Sequence, residues 1–171
     1  MALRDVWEVV EKDRTVKTIR HCWVFNIKHH ANGTIEKFKA CFVATGDCQR
    51  PGVDCTKTYA PTTSLMSLHL VLAHAICNNW ALSSFDVSGA YLYSPVKETV
   101  FIEPLTYFCL QLKGKALYVI RQVWRCWWIL LSDILTQMGF AAMEVNPSLY
   151  IFHSGEDTIA IWIHVENGIV A

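Results

Sequence analysis

Two apolar stretches of the chain run into acidic and amide side chains, a pattern from which metal-dependent chemistry can be built. One stretch begins at Trp80 and reaches Asp86, and the other runs through residues 159–165 into Glu166 and Asn167. If both are strands of one antiparallel sheet, carboxylates at the same edge can share divalent cations, because Mg2+ prefers oxygen ligands. Two such ions about 4 Å apart activate an attacking hydroxyl and stabilise a leaving oxygen in phosphoryl transfer. The pattern therefore indicates a candidate metal site at Asp86 and Glu166.

The same residues also have simpler interpretations. A lone carboxylate followed by small residues, as Asp86 is by Ser88 and Gly89, is common in turns. An Asn-Gly pair is the strongest short hairpin signal, because both positions accept positive φ. We therefore expect the last hairpin to turn at Asn167-Gly168, whether or not the acidic residues bind a metal.

The composition favours a folded domain with a large core. The 171 residues suit one domain, or one domain with a small lobe, and 53% of them are hydrophobic while 18% are charged. The net charge is zero, so the totals do not indicate a strongly basic nucleic-acid binder. Two segments are locally basic: residues 14–46 hold six lysines and arginines against one acid, and residues 111–132 hold four against none. They either line a groove for a polyanion or form two solvated faces.

Cysteine usage and hydropathy bear on the compartment. Seven cysteines occur without a Cys-x-x-Cys pair or a zinc-type spacing of cysteine and histidine, so reduced thiols and a cytoplasmic or nuclear location are expected. His69 and His74 are five residues apart and diverge on a helix, so they are not expected to share a metal. Residues 1–14 are charged and do not resemble a signal peptide. No apolar run reaches about 18 residues, so no membrane-spanning helix is expected.

The order of predicted elements indicates an α+β fold with a largely antiparallel sheet. Residues 21–45 are predicted to form a β-hairpin around Asn32-Gly33. A helix of roughly 14 residues is predicted after Ser64, its N-cap, and residues 117–140 are predicted as a second helix that ends at Gly139. Further strands are predicted within residues 80–94, 98–104 and 147–165, and a short helix within residues 3–13.

Six blocks of this sequence resemble the reverse transcriptase domain of copia-type retrotransposon polyproteins. They occur in that family's order and at its spacing, which makes the resemblance specific. The blocks are CWVFNIKHHANGTIEKFKACFVATG, GVDCTKTYAPTTSLMSLHLVLAHA, FDVSGAYLYSPVKETVFIEP, KALYVIRQVWRCWW, MGFAAMEVNPSLYIF and IWIHVENG. Together they extend over most of the chain, from residue 22 to residue 168.

The resemblance implies a fold, an activity and its partners. The implied fold has a fingers-like region in residues 1–79, which contains the hairpin 21–45, and a palm-like region in residues 80–171. The implied palm is ferredoxin-like, an antiparallel sheet with two packed helices, and no thumb is expected in this chain. The implied activity is RNA-directed DNA synthesis, with an RNA or DNA primer-template and a deoxynucleoside triphosphate as partners and Mg2+ as cofactor.

The resemblance also assigns roles to single residues. Asp86 matches the first catalytic aspartate, a ligand of magnesium. Lys39 matches a fingers lysine that pairs with triphosphate oxygens, where a point charge is useful. Tyr91 matches the aromatic residue under the incoming sugar, and its alternative interpretation is a core tyrosine. Gln122 matches a glutamine near the incoming nucleotide, and its alternative is a solvated position on a helix face.

Several residues depart from the family pattern. The family's KARLVAKG is KACFVATG here, so Cys41 and Thr45 replace two cations, and Val119 replaces a glycine in LYVIRQ. Glu166 and Asn167 stand where the family has two aspartates. The longer side chain of Glu166 would move its carboxylate by roughly 1–1.5 Å, when catalytic geometry tolerates about 0.5 Å. Asn167 keeps a carbonyl oxygen but loses the negative charge.

These departures predict weak magnesium binding and little or no polymerase activity. The catalytic set would be Asp86 with Glu166 and Asn167 as degenerate members. One alternative is a non-catalytic nucleic-acid-binding remnant that uses the two basic segments. Another is a structural fragment whose oligomeric state the sequence leaves open.

Overall fold

Ten β-strands and two α-helices occur in the part of the chain that the structure, a computed structural model, describes: residues 7–11, 17–105, 108–112 and 120–171. The strands are β1 (Trp7–Glu11), β2 (His21–His29), β3 (Ile35–Ala44), β4 (Ser83–Asp86), β5 (Phe101–Leu105), β6 (Phe108–Leu112), β7 (Ala141–Ala142), β8 (Leu149–Ser154), β9 (Asp157–His164) and β10 (Asn167–Val170). The helices are α1 (Leu65–Cys77) and α2 (Val123–Gln137). All of these strands pair antiparallel, so the predicted α+β class with antiparallel sheets is confirmed.

The chain divides into two compact units. The first unit consists of Met1–Thr58 with Tyr91–Val123, and the second of Tyr59–Ala90 with Trp124–Ala171. The assignment of fingers to residues 1–79 and palm to residues 80–171 stays a prediction.

In its described residues, the first unit contains two sheets, one of three strands in the order β1-β6-β5 and one of two strands, β2 and β3. The short helix predicted within residues 3–13 is wrong over Trp7–Glu11, because this segment is β1; the rest of that range lies outside the described residues. β1 carries Val9 and Val10, whose β-branched side chains favour a strand, and it pairs along its whole length with β6.

β2 and β3 form the hairpin that the sequence predicts around Asn32-Gly33. The side-chain oxygen of Asn32 accepts hydrogen bonds from the backbone N–H of Thr34 at 3.1 Å and from its hydroxyl at 2.7 Å. Gly33 has a φ of 85°, which glycine adopts without a steric penalty. Local turn chemistry is therefore sufficient to close this hairpin.

The β2–β3 ribbon has an aromatic face that is largely open to solvent. Its register sets Trp23 opposite Phe42 and Ile27 opposite Phe38, and opposed residues of antiparallel strands share a face. Phe25 on the same face is 75% exposed and Phe38 is 76% exposed.

The second unit is a five-stranded sheet, in the order β4-β10-β9-β8-β7, with one helix on each face. Alternate residues of β9 face opposite ways, since Ala160 and Trp162 pack with α1 while Ile161 and Ile163 pack with α2. The buried residues on the α1 face are Val71, Ala75, Leu149, Ala160, Trp162 and Ala171, and those on the α2 face are Leu135, Phe140, Tyr150, Ile161 and Ile163.

Both predicted helices are present, and α1 lies close to its expected bounds; the helix predicted over residues 117–140 is wrong at residues 120–122, which are not helical, and residues 117–119 lie outside the described residues. Ser64 is the N-cap of α1, and its side-chain oxygen accepts a hydrogen bond from the Met66 N–H at 3.1 Å. α2 begins at Val123 and ends two residues before Gly139. No helix in the described residues is long and apolar enough to cross a membrane.

Candidate active site

Asp86 and Asn167 are directly opposed in neighbouring antiparallel strands. Asp86 is the last residue of β4 and Asn167 the first of β10. The Val87 N–H donates to the carbonyl oxygen of Glu166 at 2.8 Å, which makes Asp86 and Asn167 a non-hydrogen-bonded pair, the kind whose Cα atoms lie about 4.5 Å apart. Both side chains are exposed and share one face of the sheet. The fold thus brings the first acidic segment to the last hairpin, as the sequence pattern requires.

The last hairpin turns at Val165-Glu166, so the prediction of a turn at Asn167-Gly168 is wrong. Val165 has a φ of 62°, and Asn167 already pairs with His164 in the β9–β10 ladder. The turn is displaced by two residues because the register with β4 places Asn167 and Gly168 inside the sheet.

Gly168 serves packing rather than turn formation. It lies opposite Phe85, and a Cβ atom at this position would collide with the Phe85 ring and lie 2.8 Å from the carbonyl oxygen of Trp162. The absence of a side chain therefore lets Phe85 cover the strand, and the Asn-Gly pair is explained without a turn.

The hairpin is held on two sides. Its turn residue Glu166 is half-buried, and the Glu166 carbonyl is bonded to β4 through Val87. The buried indole of Trp127 on α2 donates through Nε1 to the Val165 carbonyl oxygen at 2.6 Å. These contacts hold the turn in place on both sides.

His164 is a residue of the site that the sequence reasoning missed. It lies opposite Asn167 and shares a hydrogen bond of 3.0 Å between its Nδ1 and the hydroxyl of Thr63. Its ring stacks on Trp162, with centroids 5.9 Å apart and an angle of 10° between the planes. The alternation of Trp162 and His164 along an apolar strand was the only signal in the sequence, and it does not reveal the register with β10.

The opposed pair fits magnesium poorly. Mg2+ is usually held by one or two carboxylates in near-ideal octahedral geometry. Asp86 supplies one exposed carboxylate and Asn167 a neutral amide, while Glu166, the other predicted ligand, is half-buried and its Oε2 atom is buried. Within the described ranges of the chain, no three His, Cys, Asp or Glu side chains are grouped so that they could hold a metal ion.

The three residues expected to contact nucleotide belong to the first unit and have different environments. Lys39 is exposed on β3, opposite Asn26. Tyr91 is buried. Gln122 is only 1% exposed and precedes α2, so the alternative of a solvated helix position is wrong.

Gln122 is part of a buried amide network. Its Oε1 accepts from Gln49 Nε2 at 2.9 Å, and its Nε2 donates to the Asp54 carbonyl oxygen at 3.1 Å. Buried polar groups of this kind are costly unless they are paired. The immediate role of the Gln122 side chain is therefore to hold the segment between Gln49 and Asp54.

Two arginines near Gln122 in the sequence, Arg121 and Arg125, also donate hydrogen bonds to backbone carbonyl oxygens. Arg121 donates through Nε to the Gly46 carbonyl oxygen at 2.8 Å, and in the second unit Arg125 donates to the Tyr59 carbonyl oxygen at 3.0 Å. Lys113 and Lys115 of the same basic segment lie outside the described residues. In the described part of this basic segment, both arginines therefore hold backbone carbonyl groups in place.

Asp54 is ionised more readily than an ordinary aspartate. Its carboxylate accepts hydrogen bonds from the Arg50 guanidinium at 2.9 and 3.0 Å and from the Arg50 backbone N–H at 2.8 Å. The side-chain hydrogen bonds from Arg50 are the main cause of a lowered pKa for Asp54.

A comparison with models of known protein families identifies the family of this chain. The model described as reverse transcriptase (RNA-dependent DNA polymerase) matches residues 4–171. The chain belongs to the reverse transcriptase family. The match includes both strands that carry the Asp86–Asn167 pair and the hairpin between β9 and β10.

The relatives of this reverse transcriptase domain are retrotransposon polyproteins, which confirms the copia-type resemblance. It is 29% identical to the retrovirus-related Pol polyprotein from transposon RE1 of Arabidopsis thaliana, over 94% of this chain and 12% of the relative. It is 31% identical to the truncated transposon Ty1-A Gag-Pol polyprotein of Saccharomyces cerevisiae, over 86% of this chain and 12% of the relative. The retrovirus-related Pol polyprotein from transposon TNT 1-94 of Nicotiana tabacum is 22% identical over 91% of this chain and 12% of its own length. No solved structure matches the chain.

Proposed function

We propose that this domain is an RNA-directed DNA polymerase domain of a retrotransposon polyprotein whose two-metal nucleotidyl transfer is impaired. The proposal assigns fingers to residues 1–79 and palm to residues 80–171. The sheet of the second unit has one helix on each face, whereas an α+β layer has its helices on one side, so the proposed palm is not strictly ferredoxin-like.

The observation that carries the proposal is the opposition of Asp86 and Asn167. Asp86 has the place of the first catalytic aspartate, and Glu166 and Asn167 have the places of the second and third. A neutral amide beside Asp86 removes one negative charge from the point where a magnesium site would need it. Magnesium binding is therefore proposed to be weak, and nucleotidyl transfer slow or absent.

The residues proposed to bind the nucleotide triphosphate carry less positive charge than the family pattern provides. Lys39 is proposed to bind triphosphate oxygens, and Cys41, where the family has an arginine, lies two residues further along the same face of β3. Arginine binds phosphate in a bidentate manner that cysteine cannot replace. Tyr91 and Gln122 are proposed to shape the nucleotide pocket from their buried positions, Gln122 through the bonds to Gln49 and Asp54.

Primer extension on an RNA template, with Mg2+ or Mn2+, tests the proposal. We expect the unmodified chain to show no extension above background. The double variant Glu166→Asp, Asn167→Asp is expected to bind Mg2+ more tightly, and the same variant with Asp86→Asn is the matched control that loses this gain. Tighter Mg2+ binding without extension would locate the remaining defect at the phosphate contacts. Robust template-dependent synthesis by the unmodified chain would refute the proposed impairment.

Nucleic-acid binding without catalysis is the second candidate function, and the surface of the β2–β3 ribbon favours it. Phe25 and Phe38 are exposed on one face, while Lys28, Lys37 and Lys39 lie on the other. Exposed aromatic rings stack bases at about 1–3 kcal/mol per base, and lysines supply salt-dependent phosphate contacts.

RNA binding at two salt concentrations, about 50 and 200 mM, tests this second candidate. Affinity is expected to fall steeply with salt and to weaken further in Phe25→Ser. The control Ile76→Ser alters a residue of the second unit that is also strongly exposed, and it should leave binding unchanged. Binding no tighter than that of a neutral reference protein would exclude this function.

A cytoplasmic or nuclear location completes the proposal. The six cysteines whose side chains the structure describes form no disulfide among themselves, as is usual for thiols in a reducing compartment. Cell fractionation of the tagged chain tests it, and recovery from a secreted fraction would contradict it.

A further inference from the structure

A groove in the second unit lies between α1 and β8, on the sheet face that α1 covers in part. Its volume is about 350 Å³, and its lining is mostly apolar. None of the residues assigned to the candidate active site lines it. Sites for small molecules usually have volumes of about 300–1,000 Å³ and an apolar lining with a few polar groups, so the groove has the properties of such a site.

The strand register explains why this groove is open. Ile151 of β8 lies opposite Ala160 of β9, so both side chains belong to the same face of the sheet. Ala160 is buried in the cluster that includes Val71 of α1, whereas Ile151 is half-buried and His153, two residues further along β8, is exposed. α1 therefore covers β9 and leaves the outer part of β8 open.

Trp80 forms one wall of the groove because α1 ends in a Schellman motif. Asn79 has a φ of 55°, and its N–H donates to the Ile76 carbonyl oxygen at 3.3 Å. The Trp80 N–H donates to the Ala75 carbonyl oxygen at 2.8 Å, which completes the two hydrogen bonds of this motif. The turn brings the indole against the ring of His74, with centroids 4.9 Å apart and planes at 84°.

The polar groups of the groove can donate hydrogen bonds. His153 and Thr158 lie opposite each other, and the Nδ1 atom of His153 is bonded to the Thr158 hydroxyl at 2.9 Å. When this hydroxyl donates to Nδ1, the Nε2–H of His153 remains available to a ligand. His74 brings a second imidazole, and none of the described residues that line the groove is acidic. These features favour a ligand with an anionic acceptor group over a cation.

The size and lining of the groove indicate the rest of the ligand. An apolar cavity of about 150 Å³ holds benzene, so this groove suits a ligand roughly twice as large, about the size of two fused rings. The indole of Trp80 and the thioether of Met143 line it, and both groups interact favourably with aromatic rings.

We propose that the groove between α1 and β8 binds a small aromatic anion of two fused rings. The rings lie against Trp80 and Met143, and the carboxylate accepts hydrogen bonds from the imidazoles of His153 and His74. The site depends on the packing of α1 on the sheet and not on polymerase activity, so it stands or falls separately from the proposed function.

Isothermal titration of the full chain with 2-naphthoate tests the site. The matched probe is 2-naphthalenemethanol, which has the same two rings but no charge. One naphthoate per chain is expected, bound at least about tenfold more tightly than the alcohol, because hydrogen bonds to a charged group are stronger than those to a neutral one.

Variants separate the two halves of the proposed site. His153→Leu should lower the affinity for naphthoate about tenfold and leave that for the alcohol nearly unchanged, whereas His69→Leu, at an exposed histidine of α1 outside the groove, should change neither. Leu70→Ser should weaken both probes at least about threefold. Its control is Leu65→Ser, because Leu65 is 69% exposed and Leu70 is 67% exposed, but only Leu70 lines the groove.

Three results would each overturn the inference. They are equal affinity for naphthoate and the alcohol, equal losses in Leu70→Ser and Leu65→Ser, and an unchanged preference for naphthoate in His153→Leu. Circular dichroism establishes whether each variant folds. If Leu70→Ser does not fold, Met143→Ser, at the opposite wall of the groove, replaces it in the comparison with Leu65→Ser.

Discussion

Asp86 and Asn167 face each other across β4 and β10, on the sheet face that also carries His164. The backbone bond from Val87 to Glu166 fixes this opposition independently of the side chains. The backbone geometry of the β9–β10 hairpin beside β4 therefore does not depend on which charges its side chains carry.

Asn167→Asp should lower stability without metal and raise it when a divalent ion is present. The variant places two carboxylates directly opposite each other, which costs up to about 1 kcal/mol, whereas a bound ion favours the folded state. Chemical unfolding with and without Mg2+ measures both effects. Asn79→Asp adds the same charge at the exposed end of α1 and should show no metal dependence; an equal response in both variants would contradict the prediction.

Gly168→Ala should destabilise the second unit by about 1–3 kcal/mol, the usual cost of overpacking. The added methyl group meets the Phe85 ring and the Trp162 carbonyl oxygen. Thermal unfolding measures the loss, and Phe85→Leu in the same chain should recover part of it. Wild-type stability in Gly168→Ala would mean that the sheet is less tightly packed than the register indicates.

Trp127→Phe should destabilise the hairpin by about 1–3 kcal/mol, because the Val165 carbonyl oxygen loses its donor. Trp128→Phe is the matched control. The buried Trp128 Nε1–H has no hydrogen-bond partner among the described residues, so the same truncation removes no bond there. Hydrogen exchange of the β9–β10 amides should rise more in Trp127→Phe, and equal changes in the two variants would argue against a role for the bond.

The Arg50–Asp54 pair should make stability fall in acid. The pKa of Asp54 is lower in the folded chain than in the unfolded one, chiefly through the Arg50 side chain, so the pair contributes fully above the unfolded value of about 3.9. This contribution is lost as the pH falls through the still lower folded pKa. Asp54→Asn should therefore be less stable than the unmodified chain at neutral pH, with the difference shrinking below about pH 4.

Arg50→Gln provides the check on that prediction. It removes the same guanidinium hydrogen bonds while leaving the carboxylate in place, so the pH dependence should shrink in this variant too. Urea unfolding at a series of pH values measures both variants. A pH dependence that survives Arg50→Gln would assign the acid sensitivity to other carboxylates.

The two Asn-Gly pairs show where sequence reasoning succeeds and where it fails. Asn32-Gly33 forms the predicted turn because, among the strands that the structure describes, no third one pairs with this ribbon and constrains its register. Asn167-Gly168 has the same local preference but lies in β10, between β4 and β9. Pairing on both sides, and the Phe85 ring over Gly168, outweigh that preference and move the turn to Val165-Glu166.

The sequence by itself determined the α+β class, the first hairpin, the Ser64 cap of α1 and membership of the reverse transcriptase family, because turn chemistry, capping and motif order depend on residues close together in the chain. Only the tertiary structure decided that Asp86 lies opposite Asn167, that His164 also lies opposite Asn167, and that Gln122 is buried with Gln49. These relationships join segments far apart in the chain. Their register is selected by the packing of whole strands, and no local pattern specifies it.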